Sequence, residues 1–228
     1  MTDRPSVVVF DVNETLSDMR PMADRFTDLG LPPQLAAVWF ASVLRDGFAL
    51  AAAGSRAPFA AIADGALRTV FAGQPPDRDT DAAVEHVMQG FTALQVHPDV
   101  PPGVRALTDA GLRLVTLSNG SAAVADTLLS TAGLRESFER LLTVEDAVAW
   151  KPVRAAYEHA AQQCQVELGD MLLVAVHPWD IDGAARAGLQ TAWADRSGTP
   201  YPPHFTPPTR TVSGIDDLAR QLADGSTA

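Results

Sequence analysis

The chain has 228 residues, 46% of them hydrophobic, and its 17 basic and 28 acidic side chains leave a net charge of −11. That length and apolar content fill a substantial core in one or two domains. The negative charge disfavours a nucleic-acid partner, whose phosphates would be repelled, but a local basic cluster still allows a small anionic substrate.

The run Ser6 to Phe10 is far too short for a membrane span, and no later run reaches the roughly 18 apolar residues one needs, so neither a membrane nor an export signal is expected. Cys164 is the single cysteine and cannot form an intramolecular disulfide. It reads as a small apolar helix residue, and its solitude points to the cytoplasm.

In chain order, Val7 to Phe10 is the first expected strand, followed by Asp11-Val12-Asn13-Glu14-Thr15-Leu16. From Leu16 to His97 no strand is expected, and the segments Gln34 to Ala53 and Phe59 to Phe71 have helical periodicity, so this region reads as a helical insertion. The prolines of His97-Pro98-Asp99-Val100-Pro101-Pro102 are expected to stop any helix and return the chain to the sheet. Val104, Leu107 and Ala110 then mark a helix, Leu112 to Leu117 a strand, and Ser118-Asn119-Gly120-Ser121 the turn after it. Val124, Leu128, Leu129 and Ala132 mark another helix, closed by Gly133. Lys151 precedes Pro152 at a helix start, and the strand Met171 to Val176 leads into His177-Pro178-Trp179-Asp180. Gln190 to Trp193 is a further strand, and Pro200 to Pro208 reads as a surface loop. Strands alternating with helices imply an α/β fold with a doubly wound parallel sheet.

Ligands of such sheets bind beyond the carboxyl ends of the strands, which makes the residues just after each apolar run the ones of interest. Singly they have structural readings: an Asp after a strand caps a turn, Ser-Asn-Gly opens a helix, and a Lys before Pro is solvated. Their joint appearance at successive strand ends points instead to one site. His86, His97, His159 and His204 have no metal-ligand spacing and read as structural or solvated.

A strand ending in Asp-x-Asn-x-Thr-Leu, then Ser-Asn, then Lys-Pro, then a strand ending near Asp180 with Gly183-Ala184-x-x-Ala187-Gly188, resembles the four motifs of the haloacid dehalogenase superfamily over nearly the whole chain. The resemblance implies a Rossmann-like core, residues 1–15 and 98–228, with a helical cap domain, residues 16–97, inserted after the first strand and closing over Asp11. Asp11 is then the nucleophile, Thr15 and Ser118 hold its carboxylate and the substrate, and Lys151 supplies positive charge. Magnesium-dependent members carry an Asp two residues after the nucleophile and acidic ligands at the third strand. Here those places hold Asn13 and Ala175, so no metal and no cofactor are expected and phosphoryl transfer is disfavoured.

Phe10 to Leu16, Trp39, Phe59 with Ala66-Leu67-Arg68, Ser118-Asn119-Gly120, Lys151 with Tyr157, and Trp179-Asp180 are together similar to the type II (S)-2-haloacid dehalogenases. The mechanism that similarity implies is attack by Asp11 on the halogen-bearing carbon of a small 2-haloacid, then hydrolysis of the aspartyl ester with Asp180 activating water. Trp39, Phe40, Phe59, Tyr157 and Trp179 are the aromatic substrate-binding candidates, and Asn119 is a candidate for the halide. That family has an arginine after the cap tryptophan, where this chain has Phe40. Arg45, on the same expected helix, either reaches the site or forms a surface salt bridge. His177 stands where an amide is common, and is either the base for ester hydrolysis, deprotonating through the neutral range, or a structural histidine. Fluoroacetate stays open as a substrate, as does a homodimer. The alternatives from other classes are a phosphatase with a degenerate metal site and an idle binding protein.

Overall fold

The computed structural model describes residues 4–147 and 149–225. Strand β1 (Val7–Phe10) is four consecutive buried apolar residues, the pattern of a strand covered on both faces. It is joined by β2 (Arg113–Ser118), β3 (Arg140–Thr143), β4 (Met171–Ala175), β5 (Gln190–Ala194) and β6 (Arg210–Val212). All neighbours pair in parallel, in the order β3-β2-β1-β4-β5-β6. This is the doubly wound α/β sheet expected.

Phe10 lies level with Thr116 of β2 on one side and Val174 of β4 on the other. The chain moves outward from β1 through β2 to β3, then returns to lay β4 on the far side of β1. The direction of winding therefore reverses at β1, and the carboxyl ends of β1, β2 and β4 open together at the switch point where such sheets bind ligands.

By contact the chain divides into two compact units, Met1–Ser17 with Val96–Ala228, and Asp18–Gln95. The second contains α1 (Met22–Thr27), α2 (Leu35–Ala52), α3 (Phe59–Gly73) and α4 (Thr80–Thr92). Its interior is aromatic: Trp39 packs against Phe26 and Phe91, Phe59 stacks on Phe91, and the Trp39 indole donates to the Ala63 carbonyl at 3.0 Å. By length and composition alone α2 is apolar enough to cross a membrane, with mean hydropathy 1.5. It nevertheless carries Arg45 and Asp46 and buries Trp39, Phe40 and Val43.

In the first unit, α5 (Val100–Asp109) corrects the reading of the proline run. Pro101 and Pro102 open this helix, because in the first turn the missing N–H costs nothing. Then follow α6 (Ala122–Thr131), α7 (Arg154–Cys164), α8 (Pro178–Ala187) and α9 (Ile215–Asp224). Gly103 lets α5 meet the backbone of α9: a Cβ there would lie 2.4 Å from the carbonyl carbon of Ile215. The segment 200–208 forms turns without helix or strand, as expected of a loop.

Candidate active site

The turn after β1 is built around Asp11. Its N–H continues the ladder to the Val174 carbonyl at 3.0 Å, and the Leu16 and Ser17 N–H groups close back on the Val12 carbonyl at 2.9 and 3.0 Å. The Thr15 hydroxyl donates to Asp11 Oδ2 at 2.7 Å while accepting from the Val176 N–H at 3.1 Å, so its one proton is committed to the carboxylate. Glu14 takes the left-handed backbone conformation, φ 61°, rare for a side chain of its kind. It is held there by Ser17 Oγ, which accepts from its N–H at 3.3 Å, and by His97 Nε2, which donates to its carbonyl at 3.0 Å. Behind the turn, Arg196 donates to the Thr15 carbonyl at 2.9 Å and pairs with Asp99 at 2.7 and 3.0 Å; Asp99 also accepts from the Ile215 N–H at 2.7 Å.

Lys151 is fully buried, and its Nζ donates to Asp11 Oδ1 at 2.8 Å and to Asp180 Oδ2 at 2.6 Å. Asn119 clamps the lysine backbone: its Oδ1 accepts from the Lys151 N–H at 3.0 Å and its Nδ2 donates to the Lys151 carbonyl at 3.3 Å. Asp180, in the first turn of α8, uses its other oxygen to accept from the Tyr157 hydroxyl of α7 at 2.6 Å. Gly183, about one turn later, makes that approach possible, since a Cβ there would fall 2.5 Å from Pro152 Cβ and 2.7 Å from the Tyr157 oxygen.

His177, with φ −85° and ψ 115°, has the extended backbone expected before Pro178. Its Nδ1 lies 3.1 Å from Asp11 Oδ2 and its Nε2 2.8 Å from Glu14 Oε2, with the Trp179 ring stacked on it at 4.9 Å between centroids. Ionised carboxylates only accept, so both ring nitrogens must donate, and the geometry is that of an imidazolium.

Burial alone would favour the neutral form of every ionisable group here, and the partners decide the outcome. For Asp11, the Lys151 charge and the His177 hydrogen bond outweigh burial and hold the carboxyl below the usual carboxylate range. For His177, the bonds to Asp11 and Glu14 outweigh burial and raise it to about 9. Lys151 is raised by Asp11 and Asp180 despite burial. Asp180 goes the other way from Asp11: burial and the Asp11 charge push it up against Lys151, leaving a more basic carboxylate. Burial, then the Asp180 charge, pushes the Tyr157 phenol well above its ordinary value, so it remains a donor.

The expected residues Asp11, Thr15, Lys151, His177 and Asp180 thus converge, with Trp179 against His177. Other expectations need correction. His177 does not lose its proton through the neutral range in the resting site, because it sits between two carboxylates. Tyr157 is fully buried and donates its hydroxyl to Asp180. The Asn119 amide holds the Lys151 backbone through its Oδ1 and one N–H, and Ser118 Oγ accepts from the Gly120 N–H at 2.9 Å; among the described residues no hydrogen bond joins Ser118 to Asp11. Trp39, Phe40 and Phe59 are buried side chains of the helical unit, and Arg45 forms an exposed ion pair with Asp46 at 2.8 Å, the surface alternative. Glu14 was missed. Its letter stood in the motif, but its partner lies 163 residues away. Asn13 and Ala175 stand where acidic groups would be needed, and among the described residues no group of three or more His, Cys, Asp or Glu is arranged to hold a metal ion.

A family profile described as haloacid dehalogenase-like hydrolase matches residues 5–188. The chain belongs to that family. Among the hydrolases it is similar to are haloacetate dehalogenase H-2 of Moraxella sp. (strain B), 27% identical over 95% of this chain and 97% of that one. The (S)-2-haloacid dehalogenase of Pseudomonas sp. (strain YL) is 29% identical over 85% of this chain and 84% of its own. The crystal structure of the L-2-haloacid dehalogenase RSc1362 superimposes with a TM-score of 0.89 at 27% identity, covering 96% of this chain and 99% of that one.

Proposed function

We propose that this hydrolase removes halide from small 2-haloacids, giving 2-hydroxy acids through an ester on Asp11. The observation that carries the reading is the state of Asp11: a buried carboxylate, kept ionised by Lys151, Thr15 and His177, with both oxygens oriented at the carboxyl end of the central strand. Such a group is a nucleophile with no need for deprotonation. Asn13 offers no proton for a leaving phosphate ester, which favours carbon–halogen displacement over phosphoryl transfer.

In this reading one Asp11 oxygen forms a bond to the α-carbon as the halide departs with its bonding pair. Water then attacks the Asp11 carbonyl carbon. Asp180, the more basic carboxylate of the pair bridged by Lys151, accepts the proton of that water, and Tyr157 fixes its orientation. The helical unit Asp18–Gln95 serves as the cap, and residues 1–15 and 98–228 as the catalytic core. A cytosolic enzyme fits the single cysteine, Cys164, which is buried.

The test is halide release from 2-chloropropionate, bromoacetate and fluoroacetate, with and without EDTA. Release from at least one acid that survives the chelator is expected. A strict magnesium requirement, or phosphate release from phosphomonoesters with no halide from any acid, overturns the reading.

A further inference from the structure

The two oxygens of Asp11 are not equivalent. Among the described residues, Oδ1 takes a single donor, Lys151, whereas Oδ2 takes two, Thr15 at 2.7 Å and His177 at 3.1 Å. The Thr15 proton cannot turn elsewhere, because the Val176 N–H occupies its lone-pair side. His177 is gripped from its other nitrogen by Glu14, on a backbone conformation that Ser17 and His97 hold in place.

We propose that Glu14 is a positioning residue: through His177 it keeps a charged donor on Asp11 Oδ2 after alkylation has removed the charge of Asp11, so that His177 and Thr15 hold the oxyanion of ester hydrolysis. The inference rests on Asp11 being the alkylated nucleophile. It makes His177 an electrophilic partner rather than the base.

A lone pair of Oδ1 forms the bond to the α-carbon, and the carbon–halogen pair leaves as halide, so Oδ2 becomes the ester carbonyl. At that moment His177 loses one of its two counter-charges, and an imidazole left with a neutral ester alone would drift back toward its ordinary value of about 6.5. Glu14 is the charge that remains. Water then adds to Cγ and gives its proton to Asp180, while the carbonyl pair moves onto Oδ2, between the Thr15 hydroxyl and the His177 N–H. Collapse breaks the Cγ–Oδ1 bond. The 2-hydroxy acid departs with Oδ1 and the proton from Asp180, while Asp11 keeps the water oxygen and releases the second water proton to solvent, which restores the carboxylate. The other titratable or charged groups near His177 are Lys151, across Asp11, and Asp180 in the first turn of α8, with His97 and Arg196 on the backbone behind the turn. Glu14→Gln leaves all of them in place.

The experiment is single turnover of the full chain with 2-chloropropionate between pH 6 and 10, with halide and the intact protein mass followed together. In wild type, ester decay slows on the alkaline side as His177 loses its proton. In Glu14→Gln that fall moves about one pH unit or more toward acid, so near pH 8 the adduct decays roughly tenfold more slowly, a larger change than in the halide burst. An unmoved alkaline limb, or ester decay that accelerates with pH through His177 titration, overturns the proposal. A wild type that gives no halide and no adduct on Asp11 instead removes the dehalogenase reading, and this inference with it. NMR titration of the His177 ring gives a readout independent of turnover. In Asp11→Asn, which mimics the uncharged ester, the ring stays charged at pH 7.5; in Asp11→Asn with Glu14→Gln it does not. Identical titrations of the two variants overturn the proposal.

Discussion

Tyr157 donates its hydroxyl to Asp180 Oδ1 at 2.6 Å, on the oxygen that Lys151 leaves open. The phenol lies on α7 and the carboxylate on α8, so two helices must keep their packing for Asp180 to face the water it is proposed to activate. Tyr157→Phe removes the donor and leaves a buried oxygen unsatisfied, which costs about 1–3 kcal/mol. Turnover is expected to fall by roughly 10- to 100-fold, with the loss in ester hydrolysis. Steady-state kcat beside the halide burst amplitude checks this; a full-rate variant would detach Tyr157 from Asp180 function.

Lys151→Met takes away the charge shared by Asp11 and Asp180. Asp11, no longer held below the usual carboxylate range by Lys151, titrates at higher pH, and its orientation loosens. The expected loss in kcat/KM is on the order of 10³-fold, as for other preorganised electrostatic groups, with an acid limb that moves up in pH. Asp11→Asn should release no halide at all, since an amide forms no ester. Residual catalytic turnover in Asp11→Asn would place the nucleophile elsewhere.

His177 also ties stability to pH. Its folded value of about 9 lies above the unfolded 6.5, so its contribution is complete below pH 6.5 and lost as pH rises through 9. The difference corresponds to on the order of 3 kcal/mol. Denaturant unfolding of wild type and His177→Gln should therefore give a gap that is widest near pH 6 and narrows by about that amount by pH 9.5. A gap independent of pH would show that the ring does not bind its extra proton in the folded state.

Gly183→Ala tests the packing that seats Asp180. The new methyl would meet the Pro152 ring and the Tyr157 oxygen at 2.5 and 2.7 Å. Overpacking of this kind costs about 1–3 kcal/mol, and because the displaced atom carries the Asp180 hydrogen bond, activity should fall with stability. Thermal unfolding and kcat measured on the same preparation settle whether the two losses coincide.

Which parts of this molecule were legible in its sequence follows from how each part is held. β1 and β4 are buried on both faces and so read as unbroken apolar runs. β3 and β6 escaped notice because they are short and carry arginines, Arg140 and Arg210, that break the pattern. Asp11, Thr15, Lys151 and Asp180 were visible because each follows a strand or opens a helix at the same end of the sheet. Glu14 was not, since its function depends on a left-handed turn and on a ring brought from after β4. Trp39 and Phe59 stood out in the sequence as aromatic residues, and in a small helical unit aromatic residues also supply the core.

The link from Thr15 through Arg196 and Asp99 to Ile215 couples the turn after β1 to α9. A protease that clips the chain just ahead of Ile215 would leave Asp11, Lys151 and Asp180 untouched. It would nevertheless strip Asp99 of a partner, uncover the α5 surface around Gly103 and slacken the brace on the Thr15 carbonyl. Damage at the tail is thus transmitted, through Asp99 and Arg196, to the turn that carries Asp11.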